Sequence, residues 1–251
     1  MKQSIVKLSA ILILPWFVLI SGCELSLTVK KGNGNIVTKE IELNDFRKIS
    51  IEGNYNVNLI PSDEQKVIVE IDENLLEFLG IDLFEDELNV NSIYNLKPTE
   101  EIYIEVYYSV LDEISSGGAS VINHEDIFRS EHLEIDMAGA GAINFDVELE
   151  SLDVNISGAG VLSLSGYVKS QNISMSGAGA VDGAGLQSDE CEITVTGVGG
   201  AEVYVRNYLK ATITGLGGIT YYGNPHTVEK NVTGFGDINR GTDNDGEGDN
   251  V

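Results

Sequence analysis

From residue 133 onward apolar and polar residues alternate one for one, in runs that restart at a nearly fixed interval. Leu133, Ile135 and Met137 are separated by Glu134 and Asp136. Leu152, Val154 and Ile156 are separated by Asp153 and Asn155, and Cys191, Ile193 and Val195 by Glu192 and Thr194. Period-two alternation sends successive side chains to opposite faces of an extended chain, so each run predicts a half-buried strand. Each run closes on a small residue (Ala138, Ser157, Ser176, Thr196, Thr214, Thr233) followed by Gly-x-Gly. The first glycines are Gly139, Gly158, Gly177, Gly197, Gly215 and Gly234, at intervals of 19, 19, 20, 18 and 19 residues. These glycines supply positive φ or room for close backbone approach. A second apolar column follows at Ile143, Leu162, Val181, Ala201, Ile219 and Ile238.

Repeat length narrows the architecture. A strand with a crossover helix takes about 30 residues and a propeller blade about 40, and no leucine-rich motif is present. The unit fits about three short strands joined by tight corners. The expected fold class is all-β, a single-stranded parallel β-helix (β-solenoid) with about 19 residues per coil. Right-handed coiling is the expected hand. Equivalent residues then stack about 4.8 Å apart, apolar columns inside and Ser/Thr columns outside.

The first half of the chain is less regular. Strand-like runs cover Ile36 to Leu43, Ile49 to Ile51, Tyr55 to Ile60, Lys66 to Ile71, Glu87 to Val90 and Glu101 to Tyr108. Asn74 to Gly80, with Leu75, Leu76, Phe78 and Leu79, reads as one helical turn or two over an open end, because terminal coils must cover the core. Ser116-Gly117-Gly118-Ala119 is a degenerate turn. One solenoid domain over 36–240 is expected, irregular over 36–112 and regular over 113–240, followed by a disordered acidic tail at 241–251.

Residues 1–22 read as a signal peptide: Lys2 and Lys7, an apolar run from Leu8 to Ile20, then Ile20-Ser21-Gly22-Cys23. That ending resembles a bacterial lipobox, which makes Cys23 the lipidation position, 23–35 a tether, and the membrane a partner through the lipid. The expected location is the cell envelope, lipid-anchored in the outer membrane. The chain carries a net charge of −25, or −27 once residues 1–22, with two lysines and no acid, are removed. Such a charge excludes nucleic acid as a main partner. Cys191, in the column of Leu152 and Leu209, reads as a buried small hydrophobe.

Candidate chemistry is sparse. The glycine turns do not read as nucleotide loops: no helix pattern follows them, and the motif occurs six times. Glu134 and Asp153 share an outward column in adjacent coils, with Asp136 two residues along, which makes a possible acidic surface patch. Paired carboxylates could serve acid/base work or hold a cation, although the face lacks a flanking Lys or Arg. His124, His132 and His226 read as surface histidines, and no metal site or cofactor is expected. Tyr204, Tyr208, Tyr221 and Tyr222 form a possible aromatic binding face, since tyrosines on a flat β-surface stack on sugars or anchor interfaces.

The chain resembles the head GIN domain family of auto-transporter adhesin heads, found among Bacteroidetes. The resemblance rests on Phe46-Arg47-Lys48-Ile49-Ser50-Ile51, Val57-Asn58-Leu59 and Gln65-Lys66-Val67-Ile68-Val69. It also rests on Gly141-Ala142-Ile143-Asn144 and Gly236-Asp237-Ile238-Asn239. It implies a β-helical fold in a cell-envelope setting and brings no catalytic residues. The expected function is a non-enzymatic binding or adhesion surface for a glycan or an envelope protein. The alternatives are a polysaccharide-active β-helix enzyme using the outward carboxylates, and a structural envelope component.

Overall fold

The computed structural model describes residues 28–242, so Cys23, the leader and most of the acidic tail lie outside the described residues. The strands are, in order, β1 (Val29–Lys31), β2 (Ile36–Glu42), β3 (Lys48–Gly53), β4 (Asn56–Pro61) and β5 (Lys66–Asp72). A 3-10 helix (Glu73–Phe78) follows, then β6 (Gly80–Phe84), β7 (Glu87–Asn91), β8 (Asn95–Lys97), β9 (Tyr103–Tyr108) and β10 (Glu113–Gly118). The regular part comprises β11 (Val121–Met137), β12 (Ala142–Ile156), β13 (Val161–Met175), β14 (Ala180–Val195), β15 (Val198–Ile213), β16 (Leu216–Tyr222), β17 (Thr227–Val232) and β18 (Phe235–Arg240).

Parallel coils of about 19 residues stack into a β-solenoid of about seven turns. Ile135 pairs with Val154, Val154 with Ile173, Ile173 with Ile193, and Ile193 with Ala211, and all five are buried. The apolar columns read from the sequence are therefore continuous in space.

Corners are built differently from the three-strand expectation. Each regular coil is nearly one strand, 15 to 17 residues long from β11 to β15. Register shifts mark bulges between Asn123 and Ile127, Ser163 and Ser165, and Gly183 and Gln187, whereas β12 and β13 stay in register throughout. A bulge turns the chain while the ladder resumes on either side, so no separate turn is needed. The Gly-x-Gly corner separates one strand from the next. Its glycines are required for closeness and not for φ: none of the six first glycines has positive φ. A Cβ on Gly158 would lie 1.9 Å from the Gly139 carbonyl oxygen, and one on Gly177 1.9 Å from that of Gly158.

The first half does not follow chain order. β3 lies between β7 and β10, with Ile49 facing Leu88 on one side and Ile114 on the other. Likewise β4 lies between β9 and β11. The chain lays down this coil, adds the outer one, then crosses over both to begin the regular stack. Antiparallel strands close the outer end: β5 on β9, β2 on β5, and β6 on β7. The 3-10 helix occupies the stretch read as a helical turn, with Leu75 fully buried over the core. At the other end Lys230 falls in the inward column. Its Nζ donates to the Ile238 carbonyl at 2.8 Å and lies 4.7 Å over the Tyr221 ring, so a charge guards the last strand edge.

One buried carboxylate ties the cap together. Asp72 accepts the Gly34 N–H at 2.7 Å, the Thr99 N–H at 2.9 Å and the Thr99 hydroxyl at 2.8 Å. Burial alone would raise its pKa, but the hydrogen bonds from Thr99, Gly34 and Asn33 outweigh it and hold the group below 3.8. A depressed folded pKa gives stability that is complete above the unfolded value and is lost as pH falls through the folded one. Asp72→Ala is expected to cost about 2 to 3 kcal/mol at neutral pH, since it strands three donors. The gap between variant and native chain should narrow below about pH 4. Thermal melts of both across pH measure this; a gap independent of pH contradicts it.

Candidate functional site

The acidic patch read from the sequence forms, but as part of a mixed-sign ladder. Glu134 faces Asp153, and Asp136 faces Asn155. Their column runs Lys48, Glu113, Glu134, Asp153, Asn172, Glu192, Lys210, Glu229. Lys48 pairs with Glu113 at 2.9 Å, Asn172 donates to Asp153 at 3.2 Å, and Lys210 pairs with Glu192. This corrects the expectation of a face without Lys or Arg: Lys48 joins because β3 pairs with β10, a contact between segments far apart in sequence. Among the described residues no group of three or more His, Cys, Asp and Glu is placed to hold a metal ion.

The tyrosines are not brought to one face. Tyr221 is buried, with 8% of its surface exposed, because consecutive strand residues point opposite ways and Tyr222 takes the outside. Tyr208 lies along β15 where it pairs with Thr227 of β17, and its pKa is raised by burial and by Glu229. Tyr204 and Tyr222 stack in register, and the Tyr222 hydroxyl donates to Glu202 at 3.1 Å.

His124 is not at the surface. It occupies the inward column beside Leu59 and packs against Phe128 and Phe145. The Asp126 carbonyl can only accept, so Nδ1 carries the proton at 2.5 Å and Nε2 accepts from the Tyr108 hydroxyl at 2.8 Å. His132 is half-buried beside Ser151, and His226 is exposed. Cys191 is buried as expected, and burial pushes its thiol pKa upward, which leaves it unreactive.

A groove missed by the sequence reading runs across β12 to β16. One wall is a polar column, Asn144, Ser163, Asp182, Glu202 and Thr220, one residue per coil in register. Beside it the column Ala142, Val161, Ala180, Gly200, Gly218 and Asp237 runs in register, with small residues at Ala180, Gly200 and Gly218. Two hollows share Asp182 and flank the polar column on opposite sides. One, of about 360 Å³, is lined by His124, Asn144, Asp146, Ser163 and Ser165; the other, of about 460 Å³, by Ala180, Gly200, Glu202, Gly218 and Thr220. Asp146 accepts the Ser165 hydroxyl.

The floor glycines differ from the corner glycines. A Cβ on Gly200 or Gly218 would meet nothing closer than 4.0 Å, and neither has positive φ. Folding therefore does not demand glycine at either place, and any larger side chain would stand in the groove. Each is an extra glycine just past a Gly-x-Gly corner, in Gly197-Val198-Gly199-Gly200 and Gly215-Leu216-Gly217-Gly218. That surplus was the available signal.

Solved structures with this fold include a "putative adhesin" from Bacteroides fragilis, at 19% identity and a TM-score of 0.81, covering 84% of this chain and 99% of that one. A "putative lipid binding protein" from Parabacteroides distasonis matches at 24% identity and a TM-score of 0.70, covering 86% and 100%. A "putative adhesin" from Parabacteroides merdae matches at 23% and 0.69, again over 86% and 100%. At these identities the likeness is one of fold. No curated protein matches. Among the described residues no helix is long and apolar enough to cross a membrane. The family model described as "Putative auto-transporter adhesin, head GIN domain" matches residues 45–225, and the chain belongs to that family.

Proposed function

We propose that the protein is a non-enzymatic cell-envelope protein, lipid-anchored at Cys23 in the outer membrane, whose groove across β12 to β16 binds a neutral glycan. The carrying observation is the floor: Gly200 and Gly218 leave space that neither packing nor backbone conformation requires. Asn144, Ser163, Asp182, Glu202 and Thr220 offer hydrogen-bond donors and acceptors at a repeat of about 4.8 Å, a pattern suited to an extended hydroxyl-rich chain. Tyr204 and Tyr222 add ring surface next to the Glu202 wall. Asp182, Glu202 and a net charge of −25 disfavour polyanions. Family membership supports an adhesive surface role.

A polysaccharide-cleaving role is less well supported. Glu134 and Asp153 lie on an open strand face within a ladder whose charges Lys48, Asn172 and Lys210 answer.

Gly218→Val tests the groove. Valine suits a strand better than glycine, so stability should hold or rise by about 0.5 to 1 kcal/mol. Binding to neutral oligosaccharides, screened on a glycan array and then measured by calorimetry, should fall at least about tenfold, a loss of about 1.4 kcal/mol. Equal affinity in the variant, or no binding by the native chain across the array, removes the proposal. Binding to an envelope protein in its place, unaffected by Gly218→Val, would move the function to another face.

A further inference from the structure

We propose that the two-stranded ribbon of β1 and β8 is a membrane-contact face that meets anionic headgroups and orients the solenoid on the bilayer. The inference rests on the anchor at Cys23 proposed above. The ribbon is a sheet of its own, with Val29 facing Asn95, Lys30 facing Leu96, and Lys31 facing Lys97. Its six residues carry three lysines and no acid, in a chain with 15 basic and 40 acidic residues.

Alternation divides the two faces. Lys30 and Leu96 turn inward: Leu96 packs on the core, and the Lys30 ammonium lies 4.0 Å from the Phe78 ring centre and 4.7 Å from that of Tyr94. Val29, Lys31, Asn95 and Lys97 are exposed. Ile93, two residues before Asn95, has 75% of its surface exposed, and Val29 has 48%. Lys31 and Lys97 therefore stand side by side on adjacent parallel strands, and among the described residues neither has an ion-pair partner. Two like charges so placed repel each other, and each gains from a shared anionic surface. Exposed apolar side chains flanking lysines match the depth profile of a bilayer interface, apolar groups lower and ammonium groups at the phosphates.

Position selects the membrane as the occupant. Cys23 lies five residues before Thr28, and five steps span at most roughly 18 Å. A lipid on Cys23 thus holds the ribbon close to the headgroups, where even two lysines act at high effective concentration. Two acids beside the ribbon, Asp72 and Glu73, are already engaged by hydrogen bonds: Asp72 accepts from Gly34 and Thr99, and Glu73 from the Asn35 side chain.

The test uses the full chain, purified from envelopes and reconstituted into vesicles of phosphatidylcholine with or without about one-third phosphatidylglycerol. Lysine acetylation is read residue by residue by mass spectrometry. Labelling of Lys31 and Lys97 should fall about fivefold on the anionic vesicles and recover in about 0.5 M salt. Lys169, paired with Glu150 elsewhere on the surface, should label equally on both. Equal labelling of Lys31 and Lys97 on the two vesicle types overturns the inference. The mass of the Cys23 peptide reads the anchor separately. An adduct with unchanged labelling sinks only the contact face, and protection without an adduct keeps the face and removes the lipid anchor.

Discussion

Gly177→Ala is expected to cost at least about 3 kcal/mol, a lowering of the melting temperature by about 6 to 12 °C. The added Cβ would lie 1.9 Å from the Gly158 carbonyl oxygen and 2.5 Å from that of Ser157. Both obstacles are backbone. The Gly158 oxygen is also held, because it accepts the Ala178 N–H at 2.9 Å. Relief by displacement is blocked on the other side, where a Cβ on Gly197 would lie 1.8 Å from the Gly177 oxygen. A shift at one coil therefore passes to the next. The informative control is Gly200→Ala, chemically the same change at a place with 4.0 Å of clearance, which should leave the melting temperature unchanged or slightly raised. Thermal and urea unfolding of both variants decides the matter. Equal melting temperatures for the two would refute the close-approach reading of the corner.

The second large effect is expected at Phe128. Its ring is 1% exposed and lies between Tyr108, with centroids 6.0 Å apart, and Phe145 at 5.8 Å, with the edge of His124 at 5.5 Å. It follows directly on the register shift between Asn123 and Ile127, where the ladder to β12 is interrupted. Aromatic packing there substitutes for missing backbone pairing. Phe128→Ala should cost about 3 to 5 kcal/mol through lost burial and a cavity, and Phe128→Leu appreciably less. Because His124 and Phe145 also line the first hollow, the alanine variant should lose near-ultraviolet circular dichroism and glycan affinity together. A loss under about 1 kcal/mol would mean the stack contributes little.

The regular coils were legible because their determinants are local and periodic. Strand alternation and the Gly-x-Gly spacing gave the parallel columns, the buried Cys191 and the pairing of Glu134 with Asp153. Three features were hidden for one reason. The neighbours of Lys48, the burial of His124 and the position of β3 between β7 and β10 depend on pairings between segments dozens of residues apart. No local pattern encodes those pairings. Bulged corners were also unreadable, since a bulge leaves the polar and apolar alternation almost intact while turning the chain. The groove stood between these cases: Gly200 and Gly218 were visible as surplus glycines, but only stacking reveals that they share a floor. Tyr221 was decidable from sequence, because two adjacent strand tyrosines cannot share a face.

The placement of β3 and β4 inside the stack constrains the order in which the chain can acquire its shape. Both lateral partners of that coil, β7 with β9 and β10 with β11, lie later in the chain and are synthesised after it. The amino-terminal portion therefore has no template to condense on when it first arrives. Nucleation falls to the uniform coils β11 to β15, whose partners are successive in sequence and whose loop-closure entropy is small. The amino-terminal cap then docks last, so assembly runs opposite to the direction of synthesis, and truncations from the carboxyl end should be far more damaging to yield than their length suggests.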